Sequence, residues 1–299
     1  MENIRVTFLG TGNAIPTELR NHTGILVTYK DENILFDCGE GIQRQFRLAK
    51  ISPSKLTRIF ITHWHRDHVL GLPGLFQTLA MSNYTKRLKI YGPVGTREFI
   101  SLITKLLMSI KIDLEIEEVH PGRKIEEKDF IIEAESMSHG TPTLAYSFTI
   151  KDKLRLDKKK IKKLKLPNSP LLAKLQSGED IIFNKKKVKA KDVTYKEEGK
   201  KLAIILDTSM NANIEKIAKN SDLLITESTF LDKEAEKAKE YKHLTAKQAA
   251  EIAKKAKAKK LILTHISQRY EHNLPEVERE ARKVFKNTLV VKDLDSVEI

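Results

Sequence analysis

His63-Trp64-His65-Arg66-Asp67-His68 puts three imidazoles and a carboxylate inside six residues, directly after the β-rich run 58–62. In an extended backbone successive side chains alternate, so His63 and His65 face the same way. A turn after them lets Asp67 and His68 reach a second point nearby. One segment can therefore offer two imidazoles to one metal ion, and a carboxylate plus an imidazole to another. Neutral imidazole nitrogens with carboxylate oxygens suit zinc, and a catalytic zinc keeps one position open for water. A solvated surface cluster is the ordinary alternative, but it seldom gathers this many ligand types in so short a stretch.

The elements that must hold these residues can be read from the rest of the chain. Short β-branched and aromatic runs, broken by Gly, Asn and Asp, predict strands at 4–9, 24–29, 33–36, 58–62, 88–91, 114–119, 130–136 and 144–150. Helical patterns cover 41–49, 72–81 and 95–107. Farther on, strands are predicted at 201–206, 223–226, 260–264 and 289–291, and helices at 245–257 and 276–286. Metal-type residues recur where these strands end: His63, His139, Asp207 and His265 each follow one. Strand ends on one sheet edge are neighbours in space however far apart in sequence. A lone His is usually structural; four ligand-type residues at equivalent positions point to one site.

Gly10-Thr11-Gly12 after the first strand imitates a dinucleotide-binding fingerprint, but the third glycine would fall at Ile15, and Pro16 stands where a helix should start. These glycines are instead expected to form a tight loop beside the metal centre. Cys38, the single cysteine, is read as a small buried residue. It forms no internal disulfide and suits a reducing, cytoplasmic setting. No run of 18 apolar residues suggests a membrane span, and the first residues lack the pattern of a signal peptide.

The formal charge of +14 is unevenly spread. Residues 151–201 hold 18 Lys and Arg against 7 Asp and Glu. A basic balance confined to one segment is the footprint of a polyanion partner, because each cation near a phosphate displaces condensed counterions. A merely solvated Lys-rich insertion is the other reading. The segment also looks too poor in large apolar residues to own a core. It is expected to be an excursion, 151–196, from a single domain spanning 1–299.

These residues resemble the metallo-β-lactamase superfamily, and within it the ribonuclease Z branch of transfer-RNA 3′-processing endonucleases. The likeness runs nearly end to end: Leu9-Gly10-Thr11-Gly12, Arg20-Asn21, Leu35-Phe36-Asp37-Cys38-Gly39-Glu40-Gly41 and Gly71-Leu72-Pro73-Gly74. The most specific stretches are His243-Leu244-Thr245-Ala246 with Gln248-Ala249-Ala250-Glu251, and Leu263-Thr264-His265-Ile266-Ser267-Gln268-Arg269-Tyr270. The resemblance implies an α/β fold, an αβ/βα sandwich of two mixed sheets with outer helices and a protruding basic arm. It implies two Zn2+ per chain: His63, His65 and His139 on one, Asp67, His68 and His265 on the other, with Asp207 bridging. Asp37 would orient a ligating imidazole rather than bind metal.

By the same resemblance the enzyme removes 3′ trailers from precursor tRNA, leaving a 3′-hydroxyl on the tRNA and a 5′-phosphate on the trailer, and it is a homodimer. Asp67 would accept a proton as well as bind metal. His243, outside the ligand set, is the candidate acid for the departing 3′ oxygen; a loop or helix-capping residue is the plainer alternative for it. Arg66, where the family usually has Gly, and Arg269 are candidate phosphate contacts. Leu206, Ser209-Met210-Asn211, Leu244 and Asn168-Ser169-Pro170 also depart from the family pattern. Competing readings are a hydrolase of a small phosphodiester, sulfate ester or lactone, and a non-catalytic RNA-binding relative. The basic segment weighs against the first, and the complete ligand set against the second.

Overall fold

The structure is a computed structural model that describes residues 3–107 and 111–299. The chain opens with β1 (Arg5–Gly10), β2 (Gly24–Tyr29), β3 (Glu32–Phe36), α1 (Ile42–Leu48) and β4 (Arg58–Phe60). There follow α2 (Arg66–Val69), α3 (Leu72–Met81), β5 (Leu88–Gly92), α4 (Thr96–Leu106) and β6 (Leu114–Glu118). Next come β7 (Lys124–Glu126), β8 (Phe130–Met137) and β9 (Thr143–Ile150). The basic segment contains β10 (Lys153–Leu156), α5 (Lys158–Lys163), α6 (Pro170–Gln176), β11 (Ile181–Phe183), β12 (Lys186–Val188), α7 (Ala190–Val193) and β13 (Thr194–Glu197). The chain then returns through β14 (Lys201–Ile205), α8 (Ala212–Ala218), β15 (Leu223–Glu227), α9 (Ala235–Tyr241) and α10 (Ala246–Lys255). It finishes with β16 (Leu261–Thr264), α11 (Leu274–Arg282), β17 (Thr288–Val290) and β18 (Ser296–Glu298).

The described residues form two compact units, one of Met1–Glu126, Ile132–Phe148 and Lys201–Ile299, the other of Glu127–Ile131 and Thr149–Lys200. In the first, two seven-stranded sheets run β18-β1-β2-β3-β4-β5-β6 and β17-β16-β15-β14-β9-β8-β7. Both are mixed in direction: β1, β2 and β3 pair antiparallel while β3 through β6 are parallel, and β14 through β17 are parallel. Every residue of β15 and β16 is buried, as expected of parallel strands covered on both faces.

Aromatic side chains join the facing sheets. Phe60 of β4 stacks on Tyr91 of β5 at 4.6 Å and meets Tyr146 of β9 edge-on at 5.1 Å. Tyr146 also donates a 2.7 Å hydrogen bond to the Ile61 carbonyl, which satisfies its buried hydroxyl. Helices cover the outer faces. Leu72, Leu75, Phe76 and Leu79 of α3 pack with Phe46 of α1 and Ile100 of α4 under the first sheet. Ala246, Ala249, Ala250 and Ala253 give α10 a buried stripe at helical spacing under the second. That helix begins in a capping box: Gln248 N donates to Thr245 Oγ1 at 3.2 Å, and Thr245 N donates to Gln248 Oε1 at 2.9 Å.

The strands and helices expected from sequence are present, most within one or two residues of their anticipated ends. Two corrections follow. Helices α2, α8 and α9 and the short strands β7 and β18 were not anticipated. The basic segment, expected to lack a core, has a small one: Leu166, Leu175, Ile181, Ala190 and Val193 are buried together, with Leu156, Ile161, Leu171, Leu172, Phe183 and Val188 packed against them. Its apolar residues are spread thinly among lysines, and the short helices α6 and α7 together with the antiparallel ribbons (β10 with β13, β11 with β12) gather them.

Candidate metal centre

The ligand-type residues converge where the strands of both sheets end. After β4 the chain runs through 61–65 outside helix and strand, and His65 takes the position before α2 with φ −73° and ψ 151°. Helix α2 then turns Asp67 and His68 inward. Its placement depends on a close approach: Cys38 N donates to the His68 carbonyl at 2.7 Å, and Gly71 N donates to the Cys38 carbonyl at 2.9 Å. A side chain at position 71 would collide with the backbone of Cys38 and Gly39, so glycine is required there. Cys38 is fully buried, as expected, and burial pushes its thiol well above the ordinary value.

Three donor groups result: Glu227, His243 and His265 make up one, and the other two share Asp207. Of those two, His63, His65, His139 and Asp207 form one; Asp67, His68, Asp207 and His265 form the other, with the donor atoms of each within 4.8 Å of one another. Asp207 belongs to both and divides its oxygens between them. Its Oδ2 lies 3.7 Å from His63 Nε2 and 3.8 Å from His139 Nε2. Its Oδ1 lies 3.4 Å from His68 Nε2 and 3.2 Å from His265 Nε2. Asp67 Oδ2 is 3.4 Å from both of those nitrogens.

The site carries the marks of a place for cations. His63 Nε2 and Asp207 Oδ1 are buried without any hydrogen-bond partner, a costly arrangement unless something fills the gap. Ring nitrogens crowd each other, His65 Nδ1 on His139 Nε2 at 3.1 Å and His68 Nε2 on His265 Nε2 at 3.3 Å. Burial pushes His63, His65 and His139 below the ordinary histidine value, which leaves them neutral, the form that ligates. Burial would do the same to His68, but Asp207, Asp37 and Asp67 outweigh it and raise its pKa well above normal. The carboxylates that hold a proton there would equally hold a divalent ion. Imidazole and carboxylate donors in this number fit zinc.

Two buried carboxylates fix the rings. Asp37 accepts from His68 Nδ1 at 2.6 Å and from Thr62 Oγ1 at 2.7 Å, while Thr62 Oγ1 lies 3.0 Å from His63 Nδ1. Glu227 repeats the pattern. It accepts from His243 Nδ1 at 3.0 Å and from Thr229 Oγ1 at 2.5 Å, while Thr229 Oγ1 lies 2.9 Å from His265 Nδ1. Each carboxylate thus holds one imidazole directly and a second through a threonine hydroxyl, leaving Nε2 of His63, His68 and His265 turned to the donor groups. His139 Nδ1 donates instead to the Lys242 carbonyl at 3.0 Å. Replacing Asp37 by Asn should lower metal affinity by about 10- to 100-fold with the fold retained, measured by titration of the metal-free protein. Unchanged affinity would remove Asp37 from the support of the site.

Glu227 was not anticipated from sequence. It ends β15 as Asp207 and His265 follow β14 and β16, so the strand-end pattern, applied to that strand, would have found it. His243 does not cap α10, since Thr245 occupies that position. It sits 3.9 Å from Asp207 Oδ2, outside both groups that share Asp207. Burial alone would lower its pKa, but Glu227 and Asp207 prevail and raise it to about 9, so at neutral pH it carries a proton. The glycine loop lies beside the centre as expected: Ile266 N, next to His265, donates to the Thr11 carbonyl at 2.9 Å. Arg66 and Arg269 are exposed. The Arg269 guanidinium stands 5.4 Å from the ring of Phe230, which neighbours His243 at 6.1 Å.

Two sheets face to face with outer helices, and a paired His/Asp cluster at their strand ends, define a hydrolase of the metallo-β-lactamase fold. A family model described as Anti-Pycsar protein Apyc1 matches residues 4–157, a span that ends before Asp207, His243 and His265. Ribonuclease Z of Methanothermobacter thermautotrophicus is 40% identical over 99% of this chain and 97% of its own length. That of Methanosarcina acetivorans is 37% identical over 99% and 98%. The crystal structure of the short form of human tRNase Z superposes with a TM-score of 0.72 at 27% identity, covering 98% of each chain. The chain belongs to the ribonuclease Z family.

Proposed function

We propose that this chain is an endoribonuclease that removes the 3′ trailer from precursor tRNA, using two zinc ions held by the paired donor groups. The single observation that carries the reading is Asp207, which presents one oxygen to each group. His63, His65 and His139 would complete the first site, and Asp67, His68 and His265 the second. When bound, two such ions activate a water for in-line attack on phosphorus and neutralise charge on the phosphate oxygens.

The remaining chemistry belongs to side chains. Asp67 belongs to the second group, where His68 and His265 outweigh burial and hold its carboxyl well below the usual range; it is an ionised acceptor that orients the attacking water by hydrogen bond rather than a strong base. His243, protonated and held by Glu227, delivers a proton to the departing 3′ oxygen, a poor leaving group. Arg66 and Arg269 are exposed cations for the phosphates that flank the cut.

The basic segment 151–196 serves as the substrate arm, gripping the tRNA body through phosphates rather than base sequence. Exposed apolar side chains along α4, Phe99, Leu102 and Leu106, offer a surface for a second copy and suit a homodimer. Among the described residues no helix is long and apolar enough to cross a membrane. A cytoplasmic setting suits an enzyme acting on tRNA precursors.

The test is incubation with a trailer-bearing tRNA. Cleavage should leave a 3′-hydroxyl on the tRNA and a 5′-phosphate on the trailer, stop on chelation, return with zinc, and weaken steeply with salt at sub-saturating RNA. Hydrolysis of a chromogenic phosphodiester without any cleavage of the precursor would favour the small-substrate reading.

A further inference from the structure

We propose that the basic unit contains a pocket for one unstacked nucleotide of the substrate RNA, base inward and phosphate at the lip. The proposal rests on the reading of the chain as a tRNA-processing enzyme and adds a site to it. The pocket has a volume of about 580 Å³ and lies wholly among residues 155–195. That size falls in the range of small-ligand sites and suits a nucleotide, not a helix. Its floor is apolar: Leu156, Ile161, Leu166 and Leu172, side chains that also pack on the unit's own small core. A floor tied to a core is preformed, so a ligand does not have to order it.

One wall is Tyr195. It stands directly opposite Arg155 in the antiparallel pairing of β10 and β13, so both side chains rise on one face of the ribbon. The Tyr195 side chain is 55% exposed, a large aromatic surface left open beside the cavity. Glu197 accepts from Arg155 Nε at 2.6 Å and holds the guanidinium in place. Lys158 and Lys162, one turn apart on α5, complete a cationic lip. Gln176 contributes an amide, the side chain that can both donate to and accept from the edge of a base.

Apolar floor, aromatic wall, amide and cationic lip together match one ligand chemistry. A nucleobase has flat faces for Leu172 and Tyr195, a polar edge for Gln176, and a phosphate for the lysines. An acyl chain would leave the amide unused, and a cationic peptide would meet like charge. Unpaired loop nucleotides are where an RNA can present such a base.

The experiment uses the full-length enzyme and precursor tRNAs that each lack one base in a single-stranded loop. Tyr195→Ala should raise KM for the intact precursor by about tenfold, the loss of one stacked base, with the effect on KM rather than kcat. Tyr195→Phe should restore most of it, since the ring is kept. One abasic position should raise KM of the unaltered enzyme by a similar factor and add nothing in Tyr195→Ala. Lys158→Ala should flatten the salt dependence of binding by about one charge. An unaltered enzyme that cleaves the precursor while Tyr195→Ala keeps its KM would overturn the pocket alone. So would losses from every abasic position that simply add to that of Tyr195→Ala. Failure of the unaltered enzyme to bind or cleave the precursor would overturn the functional reading and the pocket with it.

Discussion

Asp207→Ala should abolish cleavage and leave the purified protein without bound metal at either group. The expectation comes from the division of its carboxylate, Oδ2 toward His63 and His139 and Oδ1 toward His68 and His265. No other residue enters both of the groups that share it. His265→Ala makes the contrast, because of the two groups that share Asp207 His265 enters only the one containing Asp67 and His68. It should retain about one ion where the unaltered enzyme is expected to hold two, again with loss of cleavage. Metal analysis beside circular dichroism separates a lost ligand from a lost fold. Full cleavage by Asp207→Ala, or by any preparation stripped of metal, would sink the two-metal reading.

His243→Ala should slow cleavage of precursor tRNA by about 10²- to 10⁴-fold, the range for a lost acid–base group, with metal content unchanged. Its proton is placed by Glu227 and its ring stands beside the shared Asp207. An acid matters only where the leaving group needs a proton. The same variant should therefore hydrolyse bis(p-nitrophenyl) phosphate at close to the unaltered rate, since p-nitrophenolate departs without one. At saturating metal Glu227→Gln should behave similarly on the precursor, and the double variant should then be little worse than His243→Ala alone, because the two residues act as one unit. It should also weaken metal binding, through Thr229 and His265. Loss of zinc from His243→Ala would make His243 a ligand; equal loss of rate on both substrates would deny it the role of acid.

The donor groups were legible because their signal is local and chemical. His63 to His68 lie in one segment, and His139, Asp207 and His265 each close a strand whose apolar run is plain. Glu227 was missed although its strand was recognised, because the anticipated strand stopped one residue early, at Thr226. The threonines that carry hydrogen bonds from Asp37 to His63 and from Glu227 to His265 have no sequence signal of their own. Thr62 and Thr229 are ordinary strand-end residues until the fold brings each beside a ring. The basic segment misled for a different reason. Its core is assembled from single apolar residues on short helices, strands and a loop, with none of the long periodic stripe that made α10 readable.

Both donor groups that share Asp207 take side chains from the two sheets. His63 and His65 follow β4 and meet His139 and Asp207, which follow β8 and β14. Asp67 and His68 meet Asp207 and His265, with His265 lying far along the chain. A bound ion therefore acts as a cross-link that closes loops of well over a hundred residues, much as a disulfide would, but one that the surroundings can withdraw. Because the ligands come together only in the folded chain, occupancy adds its binding free energy to stability, about 2.7 kcal/mol for each site at a hundredfold excess over its dissociation constant. The melting temperature then reports the free metal concentration. Scarcity of that metal would not only silence the enzyme; it would shorten its life.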